Sequence, residues 1–98
     1  MNSQAYRGPE VSAKLVICVD DKVLMLRRKN GQHIFPGGHI EWREPIMDCL
    51  KREAMEELSY KLIEESELFD IYEYISSDEP MHGLVLHYRL HLRKRPNL

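Results

Sequence analysis

The stretch from Gly37 to Tyr60 constrains this chain more than any other part of it. It opens Gly37-Gly38-His39-Ile40-Glu41-Trp42-Arg43-Glu44, passes through Pro45, and closes Arg52-Glu53-Ala54-Met55-Glu56-Glu57-Leu58-Ser59-Tyr60. Proline suits the first helical position because its missing N–H would have no acceptor there, and Glu44 beside it complements the positive end of the helix dipole. A helix starting near Pro45 and fed by a glycine turn is therefore predicted. From there Ile46, Leu50, Ala54 and Leu58 recur every four residues with Met47 alongside, which is one apolar stripe at helical period. That stripe is expected to face a core.

Glu53, Glu56 and Glu57 are spaced i, i+3 and i+4, so their carboxylates meet on a patch beside the stripe. Each such like-charge pair destabilises an isolated helix by roughly 0.2–0.5 kcal/mol. A bound cation reverses the sign. Hard oxygen ligands with no nearby histidine or thiolate suit Mg²⁺ or Mn²⁺, and Mg²⁺ characteristically binds through one or two carboxylates plus substrate phosphates. Three glutamates alone are more simply a solvated helix face, since charged stripes are ordinary helix surface. The residues around them alter that balance.

Gly38, five residues, Glu44, seven residues, Arg52-Glu53, an aliphatic slot, one residue and then Glu56-Glu57 resemble the Nudix box, the signature of the Nudix (MutT-like) hydrolases. A chance match of these identities in a chain of this length is on the order of one in ten thousand or less. Two positions depart from the pattern. The closing glycine of the box is Ser59 and the aliphatic residue after it is Tyr60. A glycine there would supply the left-handed residue that ends a helix, a conformation that costs an L-residue about 1–2 kcal/mol. The departure bears on the turn and not on the acids.

The resemblance implies an α/β (α+β) fold, an α/β/α sandwich around a mixed sheet, spanning about Ser12 to Arg93. It implies hydrolysis of a phosphoanhydride in a nucleoside diphosphate linked to another group, with Mg²⁺ (or Mn²⁺) as cofactor. Glu56 and Glu57 are the leading metal ligands implied, with the Gly37 carbonyl. Glu53 is expected to bind metal directly or through water, oriented by Arg52, while Glu44 acts through water or stabilises the loop; the resemblance leaves the general base open between Glu53 and a residue outside the box. Arg27 and Arg28 are candidate phosphate contacts or plain surface charges, and Glu41 is a further acid within possible reach. Family domains continue with another strand and a second helix, so this chain is expected to be shortened at its C-terminus. An uncovered sheet face would favour association, and a homodimer is the simplest form. The competing expectation is a Nudix-like module that binds a nucleotide or protein without turnover.

The remaining sequence fits one small domain. At 98 residues a single core is feasible, and 43% hydrophobic with 31% charged residues at a formal charge of −2 argues against disorder and against bulk nucleic acid as partner. No run is long enough to span a membrane and Met1–Glu10 has no signal-peptide core, which gives a cytoplasmic expectation by default. Cys18 and Cys49 have neither paired nor metal-type spacing and read as reduced core or near-core thiols. Residues 1–11 read as a flexible lead-in and 12–98 as the single domain. Ala13–Val19 and Val23–Arg28 read as a tight hairpin across Asp20-Asp21-Lys22, with Lys29–Gln32 a turn. Glu67–Ser76 reads as a strand, and Leu84–Leu92 alternates apolar residues with His87, Arg89 and His91, giving a half-buried strand with a basic, solvated face. The five histidines show no helical i, i+4 zinc pair, and Arg93-Lys94-Arg95 reads as a solvated tail.

Overall fold

The computed structural model describes residues 8–97. Its elements are β1 (Glu10–Val19), β2 (Lys22–Val23), β3 (Leu26–Arg27), β4 (His33–Ile34), β5 (Gly37–His39), α1 (Ile46–Leu58), β6 (Glu67–Ile75) and β7 (His82–Leu92). The central event is the parallel pairing of β1 with β7, from Glu10 opposite Gly83 to Val19 opposite Leu92. β6 pairs antiparallel with the outer edge of β7, while β2 and β5 share the other edge of β1, giving a mixed sheet.

Alternation along β1 sends Ala13, Leu15 and Ile17 to one face, where each is fully buried. Register puts Tyr88 and Leu90 of β7 beside Leu15 and Ile17 on that face. Helix α1 closes the core from above with Leu50, Ala54 and Leu58. Each fully buried Leu or Ile contributes on the order of 2 kcal/mol through water released from apolar surface. The predicted stripe is thus the packed face with one change. Met47 is 39% exposed, and Cys49, 0% exposed, takes its place in the core.

Four expectations need adjustment. Glu10 and Val11 belong to β1, because the parallel ladder with β7 already holds them, so order begins before Ser12. Of the lead-in, residues 1–7 lie outside the described residues. The hairpin after β1 closes for only two residue pairs, Cys18 with Val23 and Val19 with Lys22, before Leu26–Arg27 turns away to pair with His33–Ile34. The reason is competition for one edge, since β5 occupies β1 at Ser12–Lys14. Gly37-Gly38 accordingly is not a free turn but a strand segment, with Gly37 opposite Lys14 and Gly38 opposite Ala13. Among the described residues α1 is the single helix, so one helical layer of the expected sandwich is present.

Pro45 caps α1 at φ −61° and ψ 147°, and its carbonyl accepts from the Cys49 N–H at 3.0 Å, as expected of a proline at a helix start. At the other end Ser59 adopts the left-handed conformation, φ 51° and ψ 34°. The Ser59 and Tyr60 N–H groups donate to Met55 and Ala54 carbonyls at 3.0 and 3.2 Å. These two bonds satisfy carbonyls that the helix end would otherwise orphan, which offsets the steric cost a serine pays there. The helix therefore stops where a glycine would have stopped it, and does not run on. Tyr60 then donates its hydroxyl to Glu64 at 2.6 Å and is half-buried against the core. No helix among the described residues is long and apolar enough to cross a membrane.

Candidate active site

The first turns of α1 and the loop before it are tied together by Arg52. Its Nε and Nη2 donate to the two oxygens of Glu44 at 2.8 and 3.0 Å, a bidentate pair. Nη1 donates to Glu53 Oε1 at 2.9 Å, and Nη2 also to the His39 carbonyl at 3.1 Å. Glu41 and Glu56 are more distant, at 3.8 and 3.5 Å from Nη1. The guanidinium is the correct group for this task because its planar fork presents several donors in fixed directions. Arg52 thus bonds Glu53 through one N–H and Glu44 through two.

Hydrogen bonds from Arg52, with help from the Glu41 N–H, pull the Glu44 carboxyl down to about 2. The linkage sign follows. A carboxyl with a lowered folded-state pKa stabilises the fold above its unfolded value, about 4.3, and that contribution disappears as pH falls towards 2. Thermal melts between pH 5 and pH 2 should therefore show a falling midpoint in the parent chain and a shallower fall in Glu44→Gln. Equal slopes in the two chains would remove this role from Glu44.

Glu57 lies on the next turn of the helix from Glu53, and its Oε1 accepts from the Gly37 N–H at 2.7 Å. Burial raises its carboxyl above the ordinary carboxylate range, the Gly37 N–H opposes that, and the neighbouring Glu53 charge adds to the rise. Glu53 itself packs onto Gly38, where a Cβ would stand 2.5 Å from Oε1. Two carboxylates and the glycine backbone are therefore brought to one place. The bare hydrogen at Gly38 is what lets Glu53 approach, and the φ of 137° at Gly37 turns its N–H to Glu57.

Glu56 is not gathered with them; its side chain is 56% exposed and faces Arg52. Among the described residues no three His, Cys, Asp or Glu side chains cluster closely enough to hold a metal ion. What the backbone and side chains offer together is a set of hard oxygens, from Glu53, Glu57 and the Gly37 carbonyl, with like charges held close. That donor chemistry fits Mg²⁺ or Mn²⁺. Arg27, at the end of β3, and Arg28 after it are exposed, and among the described residues neither side chain has a hydrogen bond or ion pair. The structure does not join them to the acids.

Two further residues belong to this site. Lys14 of β1 donates from Nζ to the Phe35 and Gly37 carbonyls, both at 3.3 Å. The sequence signal was a lone lysine inside an apolar strand, an arrangement that asks for a partner. Cys49 has its Sγ 3.8 and 3.7 Å from the Gly38 and His39 carbonyls, bracing the backbone on which Glu53 rests. Burial pushes its thiol up to about 11, so it is a packed thiol rather than a nucleophile. Both cysteines are free.

The basic face of β7 is not simply solvated. His87 is half-buried, edge-on to Phe35 with centroids 5.9 Å apart and 3.6 Å from Asp70, while Arg89 donates to Glu67 at 2.9 Å and lies over the Phe69 ring. His91 is the exposed member. His87 and Arg89 are met by β6 acids and by the Phe35 and Phe69 rings, not by the acids of α1.

A glycine strand, a helix with two convergent carboxylates, Glu53 and Glu57, and an arginine bonded to the first of them thus meet on one α+β domain. The NUDIX domain family model matches residues 8–97, and the chain belongs to that family. The chain is 29% identical to a MutT NUDIX hydrolase from Burkholderia pseudomallei, with 88% of this chain and 69% of that one covered at a TM-score of 0.79. A NUDIX hydrolase from Nitrosomonas europaea is 27% identical over 86% of this chain and 59% of its own length, TM-score 0.72. The NUDIX domain of Shewanella oneidensis NrtR, crystallised with ADP ribose, shares the fold at 19% identity, 97% and 68% coverage and a TM-score of 0.75. The chain spans roughly three-fifths to two-thirds of the length of these proteins.

Proposed function

We propose that this chain hydrolyses a phosphoanhydride bond in a nucleoside diphosphate linked to another group. The observation that carries the reading is the meeting of Glu53 and Glu57 against the Gly37-Gly38 backbone. A divalent cation held there supplies charge neutralisation, alignment of the diphosphate and a lowered pKa for the attacking water. Glu53, Glu57 and the Gly37 carbonyl are the residues that would hold it, with Glu56 entering by rotation away from Arg52.

Each residue then has a definite task. Arg52 holds Glu53 in one orientation, and Glu44 fixes Arg52 in turn. Glu53 accepts the proton of the attacking water as that oxygen bonds to phosphorus and the anhydride P–O bond breaks, its electron pair leaving with the departing phosphate. Arg27 and Arg28, with side chains unengaged among the described residues, are the cations proposed to meet substrate phosphates. A module that only binds is less well supported, because Arg52 and its acids are assembled rather than dispersed.

ADP ribose, found with the Shewanella domain, is a nucleoside diphosphate of the proposed class and belongs on a test panel with nucleoside triphosphates, nucleotide sugars and dinucleoside polyphosphates. Purified chain with Mg²⁺ should release phosphate or nucleotide from at least one of them, and EDTA should stop it. A folded sample that turns over nothing on the panel, or one indifferent to EDTA, would sink the reading.

A further inference from the structure

One oxygen carries two claims. The Gly37 carbonyl is a proposed ligand of the divalent cation, and it is also an acceptor for the Lys14 ammonium at 3.3 Å. The register that places Lys14 opposite Gly37 makes this meeting a property of the fold, since the neighbours Ala13 and Leu15 are locked in the core. Lys14 is half-buried, and among the described residues no carboxylate stands within ion-pair distance of it; its charge rests on two backbone carbonyls.

The distribution of charge across the site explains why an ammonium belongs there. Arg52 is committed to Glu44 and Glu53. Glu57 has no such partner among the described residues; its Oε1 accepts from the Gly37 N–H at 2.7 Å, and the Lys14 ammonium is held on the carbonyl of that same residue. A lysine is a compact cation on a flexible four-carbon stem, so it leaves a carbonyl more readily than a forked guanidinium would.

We propose that Lys14 is a built-in counter-cation of this site, which holds the Gly37 carbonyl and balances Glu57 until a divalent cation displaces it. The proposal rests on the metal reading of Glu53 and Glu57. Its consequence is that Lys14 weakens metal binding in the absence of substrate, reserving tight binding for when phosphates add negative charge. A lysine that merely braced the Gly37 backbone would have the opposite effect, because its loss would loosen a ligand.

The test is a titration of Mn²⁺ without nucleotide, reading free Mn²⁺ by electron paramagnetic resonance, on the parent chain, Lys14→Met and Lys14→Gln. Glutamine can still donate to the two carbonyls but brings no charge, so it isolates electrostatics from bracing and carries the test if the methionine variant fails to fold. Removing a unit charge a few ångströms from the ion should tighten Mn²⁺ binding about tenfold in both variants. Glutamine matching the parent, or either variant binding more weakly, would overturn the role of Lys14 while leaving the metal site standing. Absence of Mn²⁺ binding in all three chains overturns the metal reading and the proposal together.

Discussion

Glu57→Gln should lower kcat/KM by about 10²–10³, the equivalent of losing several kcal/mol of charge stabilisation in the transition state, while leaving the fold intact. The two halves of this expectation come from different atoms. The glutamine carbonyl oxygen can still accept from the Gly37 N–H, so the link between α1 and β5 is kept. The negative charge is lost, and with it the attraction for a divalent cation. Glu57 already sits where burial and Glu53 raise its carboxyl, so neutralising it relieves repulsion and should cost the folded state nothing. Steady-state kinetics beside a thermal melt separates the outcomes. An unchanged melt with activity within about threefold of the parent would remove Glu57 from the ligand set, given that lost ligands cost far more.

Gly37→Ala should be the most damaging small substitution in the chain. At φ 137° an L-residue is strained, and here the added Cβ would also stand 2.1 Å from the Ala13 carbonyl oxygen and 2.8 Å from the Lys14 Cα. Those are backbone atoms of the central strand and cannot move without disturbing its ladder to β7. A cost of about 3 kcal/mol or more is expected, against a total stability of about 5–15 kcal/mol for an ordinary domain. Urea unfolding measures it directly. A midpoint within experimental error of the parent would mean that β5 does not hold Gly37 against β1 as described.

Arg43 is a milder case of the same physics. It takes φ 62° in the loop ahead of α1, next to Glu44 whose carboxylate receives the Glu41 N–H and the Arg52 fork. Local strain is tolerated there because the loop is fixed at both ends, by Ile40 bonding to Val11 and by Glu44 bonding to Arg52.

Much of the site was legible in one dimension because a helix converts spacing into geometry. Residues at i and i+4 share a face, so Glu53 and Glu57 had to be neighbours, whereas the adjacent Arg52 and Glu53 meet only because the long guanidinium arm reaches round the helix. Spacing alone left Glu56 on the same patch. The structure separates it, since on the far side of that patch Arg52 and solvent compete for its carboxylate. Arg27 and Arg28 show the opposite limit. Nothing in a strand end says which loop it will face, and β3 leaves β1 to pair with β4.

The apolar stripe of α1, the proline that starts it and the alternation of β7 were determined by the sequence alone, because each depends on neighbours within a few residues. The parallel union of β1 with β7, the sharing of one β1 edge by β2 and β5, and the arrival of Lys14 at the Gly37 carbonyl were decided only in three dimensions. Apart from the short pairing of β1 with β2, those contacts join residues more than twenty positions apart, and their partners are selected by which edges and faces remain open once the local elements have packed.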